Sequence, residues 1–482
     1  MSAYRVLLCA VLRAAAVLTR TEFSIDAAGT LRGATSVCAP LQNHGTHSTV
    51  QIEVGTPGQK FDVVADTGSD AVIVLSCLCQ AAGNCAEDSK CFVGTDRSST
   101  FSMMEADKVP MLQLSFGSGQ IEAAVVTDIV AVGDIKTTMK QDLLLMVDKA
   151  LDFNGPFEGI LGLGLPTSKN SLMRRETTSS KKTMEILGFL ETAGVKFFSL
   201  CFNEGADGFL RLGVPTAPVS LGSVGKIHWA LNFEGVQIGN ASVDDVGICR
   251  PSSANPGSAC AAIPDSGTTA VMAPEAHITK LLATLCEQWP RCATLAAAGA
   301  ETSGLDPKPT EEELHLWAFM RLLSACSEWL SEGSLDEMPT LSFHVAGSEG
   351  TKQILNLPPS SYIFRTSADQ YPETQRTLGL AATSVHANAS EMCAPAFGVM
   401  DFSMSAGPIW IFGTGFFYEY QVGYDMSSTP PSIAFSEEPC ACDQASASFM
   451  TEKANVRTRR SAMPRQISGR PRVPSFNTNS PL

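Results

Sequence analysis

Two short stretches of this 482-residue chain hold an aspartate in nearly the same company. Asp66-Thr67-Gly68-Ser69 recurs as Asp265-Ser266-Gly267-Thr268: an acid, a hydroxyl, a glycine and a second hydroxyl. Apolar residues lead into each, Val63-Val64-Ala65 in the first and Ala261-Ala262-Ile263 in the second. Each is followed much later by two apolar residues and a glycine, Ile160-Leu161-Gly162 and Ile411-Phe412-Gly413. Gly162 lies 96 residues beyond Asp66, and Gly413 lies 148 beyond Asp265. The same order of parts occurring twice points to a duplicated half-structure. Paired carboxylates are equipment for general acid–base chemistry, in which one member gives a proton while the other takes one. A two-carboxylate glycosidase would explain the acids. It would not explain the repeated loops or the repeated glycine motifs.

The elements that must hold these loops are mostly strands. Short β-type runs such as Thr49 to Val54, Phe61 to Ala65, Ile121 to Val132 and Leu341 to Val345 are broken by turn residues such as Gly55-Thr-Pro-Gly58. One stretch differs. Pro274 to Leu330 is rich in Ala, Leu and Glu, with apolar residues at helical spacing in Leu314 to Leu323, and predicts two or more helices. It accounts for the longer second spacing. Glu311-Glu312-Glu313 suits a helix start. Trp317, Phe319 and Leu323 are expected to pack inside this helical region.

Composition narrows the function classes. Hydrophobic residues make up 44% and charged residues 17%, enough apolar material for a core and too little charge for a disordered chain. The formal net charge of −15 argues against nucleic acid as a partner. No internal apolar run reaches the roughly 18 residues that cross a membrane, so no integral anchor is expected. Residues 1–22 have the texture of a secretory signal, with Arg5 before an apolar stretch that Arg13 interrupts. Setting it aside removes Cys9 and leaves 14 of the 15 cysteines, an even number that suits disulfides in an oxidising compartment. Asn240 and Asn388 head Asn-X-Ser sequons. Residues 443–482 carry seven Lys+Arg against two acids and predict a basic, disordered tail. Arg457-Thr-Arg-Arg460 within it resembles a dibasic processing site. His44, His47 and His228 lack a second ligand at metal-binding spacing and are expected to be solvated or core histidines.

The repeat resembles the pepsin-like aspartic endopeptidases, from about Thr49 to Phe435. Phe157-Glu-Gly-Ile-Leu-Gly162, Leu357-Pro-Pro-Ser-Ser-Tyr-Ile363 and Trp410-Ile-Phe-Gly413 match further stretches of the family. The resemblance implies a mainly β, bilobal pepsin-like acid protease fold, with two homologous β lobes and a helical insert in the second. The expected divisions are a short pro segment at 23–46, lobes at 47–220 and 221–442, and the insert at about 274–332. Asp66 and Asp265 are then the catalytic pair. Two adjacent carboxylates cannot both ionise cheaply, so they share a proton. The ionised one activates a water that attacks the peptide carbonyl, while the protonated one hydrogen-bonds the carbonyl oxygen. No metal or cofactor is implied. Thr67 and Ser266 match hydroxyls that brace the two loops. Ser69 and Thr268 match donors to the outer carboxylate oxygens, and Gly68 and Gly267 match the sharp turns.

Three positions depart from the family pattern. Phe116, followed by Gly117 and Ser118, stands where the flap that closes over substrate usually carries tyrosine. Ile73 replaces that tyrosine's usual tryptophan partner, and Thr414 stands where an aspartate is common. The cluster Cys77, Cys79, Cys85 and Cys91 resembles cysteine-rich inserts of plant nepenthesin-like and apicomplexan plasmepsin-like branches. Disulfides are favoured there over a metal knuckle, because zinc sites prefer C-x2-4-C pairs. Cys249 with Cys260, and Cys326 with Cys393, are placed as family disulfides are, and Cys286 with Cys292 would close the helical insert locally. Cys38, Cys201, Cys440 and Cys442 have no assigned partner. The implied protein is a monomeric protease of polypeptide substrates, secreted or lumenal in an acidic compartment. A catalytically silent peptide-binding module on the same fold is the alternative.

Overall fold

The computed structural model describes residues 24–25, 31–32, 36–105, 108–116, 119–151, 158–166, 175–176, 183–215, 220–249, 260–302, 308–331, 333–380, 391–401, 403–404, 407–442 and 464–473. The signal-like segment 1–22, Gly117, Ser118, Phe157, Asn388 and the dibasic stretch 457–460 lie outside them. Met1–Ser36 and Val37–Leu482 are separate compact units. In the first, Ser24–Ile25 pairs antiparallel with Leu31–Arg32.

Strands dominate the second unit, and their burial follows the period-2 alternation of a half-covered sheet. In Val37–Asn43, Val37, Ala39 and Leu41 are buried while Cys38, Pro40 and Gln42 face out. A 13-stranded sheet carries the first aspartate loop and an eight-stranded sheet carries the second. The chain halves are not fully segregated. Gln421–Asp425 and Ser432–Ser436, both from the second half, extend the large sheet.

The duplication is explicit in the strand pairing. Gln59–Asp66 runs parallel to Gly159–Gly162, which runs antiparallel to Val72–Leu75, which runs parallel to Ile135–Leu151. Cys260–Pro264 runs parallel to Gly407–Phe412, which runs antiparallel to Val271–Ala273, which runs parallel to Phe397–Val399. Each aspartate ends or follows a strand whose parallel neighbour is the apolar-apolar-glycine motif. The glycines permit a close crossing. A Cβ on Gly162 would stand 2.4 Å from the Asp70 carbonyl carbon, and one on Gly413 would stand 2.3 Å from Ala270 O.

The helical insert contains Glu275–Gln288, Pro290–Thr302, Glu311–Ser324 and Cys326–Leu330. Thr310 caps the third of these in a reciprocal box with Glu313, and Glu311, Glu312 and Glu313 fill its first turn. Phe319 and Leu323 are fully buried, but Trp317 is 50% exposed. It lies against Gly299 on the adjacent helix instead of entering the core.

Seven disulfides join the described cysteines. Cys249–Cys260, Cys286–Cys292 and Cys326–Cys393 are local or second-half links. The cysteine-rich insert is closed by Cys77–Cys91 and Cys79–Cys85. Cys38–Cys442 and Cys201–Cys440 tie the end of the second half to strands of the large sheet. Fourteen described cysteines are therefore paired, as oxidising conditions require. No helix among the described residues is long and apolar enough to cross a membrane.

The basic tail departs from the expectation of disorder throughout. Residues 464–473 are ordered, and Arg465–Gln466 adds a parallel strand beside Ile363–Ser367. Ile467 is fully buried against an apolar cluster that includes Ile263, Met272 and Ile411. Burial of one such side chain stabilises by roughly 1.5–3 kcal/mol. A low-complexity composition hid this anchor, because one isoleucine among arginines and serines carries no periodicity.

Candidate active site

The two aspartates meet through their loops. Asp66 Oδ1 accepts from Gly68 N–H at 3.0 Å, and Asp66 Oδ2 accepts from the Ser69 hydroxyl at 2.6 Å. Asp265 repeats this with Gly267 N–H at 2.8 Å and the Thr268 hydroxyl at 2.6 Å. Between the loops, Thr67 N–H donates to Ser266 Oγ and Ser266 N–H donates to Thr67 Oγ1, both at 3.0 Å. The hydroxyls in turn donate across, Thr67 to Pro264 O at 3.0 Å and Ser266 to Ala65 O at 2.7 Å. Every one of these groups has its counterpart in the other loop.

The glycines set the spacing. A Cβ on Gly68 would stand 2.7 Å from Asp265 Oδ2, and one on Gly267 would stand 2.3 Å from Asp66 Oδ1. Each loop therefore leaves room for the other's carboxylate, and both aspartates are buried.

That closeness shapes the electrostatics. Burial first, and the Asp66 charge second, push the Asp265 carboxyl well above the usual carboxylate range. Hydrogen bonds from Thr268 and Gly267 pull the other way without reversing it. The site can therefore hold one proton on a carboxyl pair in surroundings where a lone exposed carboxylate would be ionised.

Three neighbours of the pair carried no distinguishing mark in the sequence. His228 is a core histidine whose burial lowers it to about 4, opposed by the charges of Asp70 and Asp66 and a hydrogen bond with the Gly68 backbone. Thr269, directly after the second loop, donates its hydroxyl to Thr46 O at 2.8 Å. Arg472, from the tail, is buried; burial lowers its guanidinium from the ordinary value, opposed by the charges of Asp66 and Asp265. Position in the chain could have flagged Thr269. Nothing in the sequence separates His228 or Arg472 from other basic residues.

The remaining candidates lie elsewhere. Met111–Phe116 and Gly119–Val132 form an antiparallel hairpin that pairs Phe116 with Gly119, so Phe116 is at its tip. Ile73 is buried in an apolar cluster beneath the strands of the first loop. Thr414 donates to Thr269 O at 2.9 Å, binding the glycine motif to the loop of Asp265. His44 and His47 stack at 4.9 Å between ring centres, and burial lowers both from the ordinary imidazole value. Asn240 is exposed in a turn. Cys249, Cys260 and His277 come within 4.8 Å of one another. The two sulfurs are bonded together and His277 Nδ1 accepts from Trp410 at 3.2 Å, so these donors are already used.

Comparison with known proteins agrees with the geometry. The family model described as eukaryotic aspartyl protease matches residues 48–436. Gastricsin of Cavia porcellus is 26% identical over 401 residues, covering 80% of this chain and 79% of the relative. Pepsin A of Bos taurus is 22% identical over 405 residues, covering 82% and 86%. Renin of Echis ocellatus is 23% identical over 394 residues, covering 80% and 79%. With mirrored loops, paired aspartates and a family match across most of its length, the chain belongs to the eukaryotic aspartyl proteases, with their bilobal, pepsin-like, mainly β fold.

Proposed function

We propose that the protein is an active endopeptidase that hydrolyses peptide bonds in extended polypeptides, with Asp66 and Asp265 as its catalytic residues. The observation that carries this is the mirrored hydrogen bonding of two buried aspartates, each with a backbone N–H on its inner oxygen and a hydroxyl on its outer one. The raised carboxyl of Asp265 suits it to hold the shared proton and hydrogen-bond the scissile carbonyl oxygen. Asp66 then takes a proton from the water that attacks the carbonyl carbon. The resulting diol collapses as a proton passes to the leaving nitrogen. The pair titrates as a unit, so the roles belong to the singly protonated dyad. The loop-to-loop bonds of Thr67 and Ser266 hold the carboxyls in register during this exchange.

The hairpin that pairs Phe116 with Gly119 is the proposed flap. Its phenylalanine would close on substrate by apolar contact. A secreted or lumenal location belongs to the same proposal, supported by the paired cysteines, and the monomeric state is proposed with it.

The test is incubation with a mixed peptide pool from about pH 3 to 7, the range that brackets a shared-proton carboxylate pair. The chain is assayed as isolated and after removal of its C-terminal tail. Cleavage that a statine-type inhibitor blocks, and that Asp66→Asn and Asp265→Asn each abolish, is the expected result. Peptide binding with no product in either form at any pH overturns it and leaves a silent binding module.

A further inference from the structure

The described part of the tail, Pro464-Arg-Gln-Ile-Ser-Gly-Arg-Pro-Arg-Val473, is held at several points by the second half of the chain. Arg465 is buried with its guanidinium 4.2 Å over the Tyr418 ring and 5.0 Å over Phe364. Ile467 N–H donates to Arg365 O at 2.9 Å while its side chain fills the core. Arg470 pairs with Glu373, with Nε and Oε1 3.4 Å apart. Its described residues reach the loop of Asp265.

There the contact is made by backbone. Arg472 N–H donates to Thr269 Oγ1 at 2.6 Å, and Arg472 O accepts from Thr269 N–H at 2.9 Å. Thr269 is the residue after Thr268, which donates to Asp265. A reciprocal N–H and C=O pair reads no side chain, so the same two atoms of Thr269 can take the backbone of any extended peptide lying beside the dyad. The Arg472 charge interacts with Asp66 and Asp265 and also with His47.

We propose that residues 464–473 are an intramolecular ligand of the substrate site, an autoinhibitory segment held by Thr269 at Arg472. This rests on the endopeptidase assignment. The segment inhibits in two ways. Its backbone occupies donors and acceptors that a substrate would use. Its guanidinium, attracted by both carboxylates, adds to the hold of the backbone and so to the exclusion of substrate. The tether suits the task. Cys442 is fixed by its bond to Cys38, and 21 residues separate it from Pro464, a span of at most roughly 80 Å when extended. A tether of that length keeps the segment at high local concentration, and cutting it makes binding bimolecular.

The test places a site-specific protease sequence within residues 443–463 of the full chain, so that folding precedes the cut. Peptide cleavage and the affinity of a fluorescent statine-type inhibitor are measured before the cut and after the fragment is removed. Both are expected to rise at least tenfold. A synthetic peptide of residues 464–473 restores inhibition, and its Arg472→Ala form is at least tenfold weaker. In the uncut chain, Arg472→Glu sets a negative charge beside the two carboxylates and raises the rate with no cut at all. Equal rates and equal inhibitor affinity before and after the cut, with no response to Arg472→Glu, overturn the proposal. Tighter inhibitor binding after the cut with no peptide cleaved supports the segment as a ligand and overturns the endopeptidase instead.

Discussion

Thr67 and Ser266 hold each other. The backbone N–H of each donates to the side-chain oxygen of the other at 3.0 Å, across 199 residues of sequence. Neither partner is exposed, so removing one hydroxyl leaves buried groups unsatisfied. Ser266→Ala strands the Thr67 N–H and the Ala65 carbonyl. At roughly 1–3 kcal/mol for each orphaned group, the expected loss is about 2–6 kcal/mol. Thr67→Ser keeps both bonds and should cost less than about 1.5 kcal/mol, as small volume changes in cores do. Urea denaturation of the two variants checks this. Equal losses would mean that packing, and not the exchanged hydrogen bonds, holds the loops together.

Gly267 is the point where the loops come closest. An alanine there would put its Cβ 2.3 Å from Asp66 Oδ1, a distance that forces the carboxylate or its loop to move. A displacement of about 1 Å at a reacting group costs on the order of 100-fold in rate. Gly267→Ala is therefore expected to lower kcat by about 100-fold or more while the protein stays folded. Gly68→Ala should do the same through Asp265 Oδ2, at 2.7 Å. Steady-state kinetics on a cleaved peptide, with circular dichroism as the control for folding, is the measurement. Near-normal kcat in either variant would show that the carboxylates need no such close approach.

The loops were legible because they occur twice. A single Asp-Thr-Gly carries little weight, but two of them, each followed by its own glycine motif, predict the mirrored strands that the structure contains. The helical insert was legible from its period, and Thr310 and Glu313 mark the start of one helix. What was not legible depends on tertiary neighbours. His228 has no motif, and only the folded chain brings it to the Gly68 backbone. The long-range pairs Cys38–Cys442 and Cys201–Cys440 cannot be deduced from spacing, because many connectivities fit 14 cysteines. The tail read as disordered because its few apolar residues are scattered. Its order comes from a site built by residues far from it in sequence.

His228 and Asp265 should bend the stability profile in opposite directions. His228 is a base lowered from 6.5 to about 4 on folding. The folded state binds fewer protons in that window, so the neutral histidine's contribution is present above about 6.5 and is lost as pH falls toward about 4. That window corresponds to about 3 kcal/mol at most. Asp265 is an acid raised on folding, mainly by burial. The folded state binds more protons, so stability is lost as pH rises above the ordinary carboxylate value. His228→Phe should flatten the acid side of the profile, and Asp265→Asn should stabilise the protein near neutral pH. Urea midpoints across a pH series read both. Parallel profiles for wild type and His228→Phe between pH 6.5 and 4 would sink the histidine's role.

The disulfides should not contribute equally. Cys38–Cys442 spans 404 residues and Cys201–Cys440 spans 239, whereas Cys79–Cys85 spans 6. A crosslink restricts the unfolded chain more when the loop it closes is longer. The chain-entropy relation gives roughly 6 kcal/mol for the longest loop and roughly 2 kcal/mol for the shortest. The two long links also fix neighbouring strands, since Cys38 lies in Val37–Asn43 and Cys201 in Phe197–Asn203, both paired with Ala206–Leu212. Losing either should therefore free the end of the second half from the large sheet. Paired Cys→Ser variants at 38 and 442 are expected to unfold at markedly lower temperature than paired variants at 79 and 85. Susceptibility to an added protease should rise first around residues 437–442. A larger loss from the 79 and 85 pair would show that the insert, and not the closure of the long loop, limits stability.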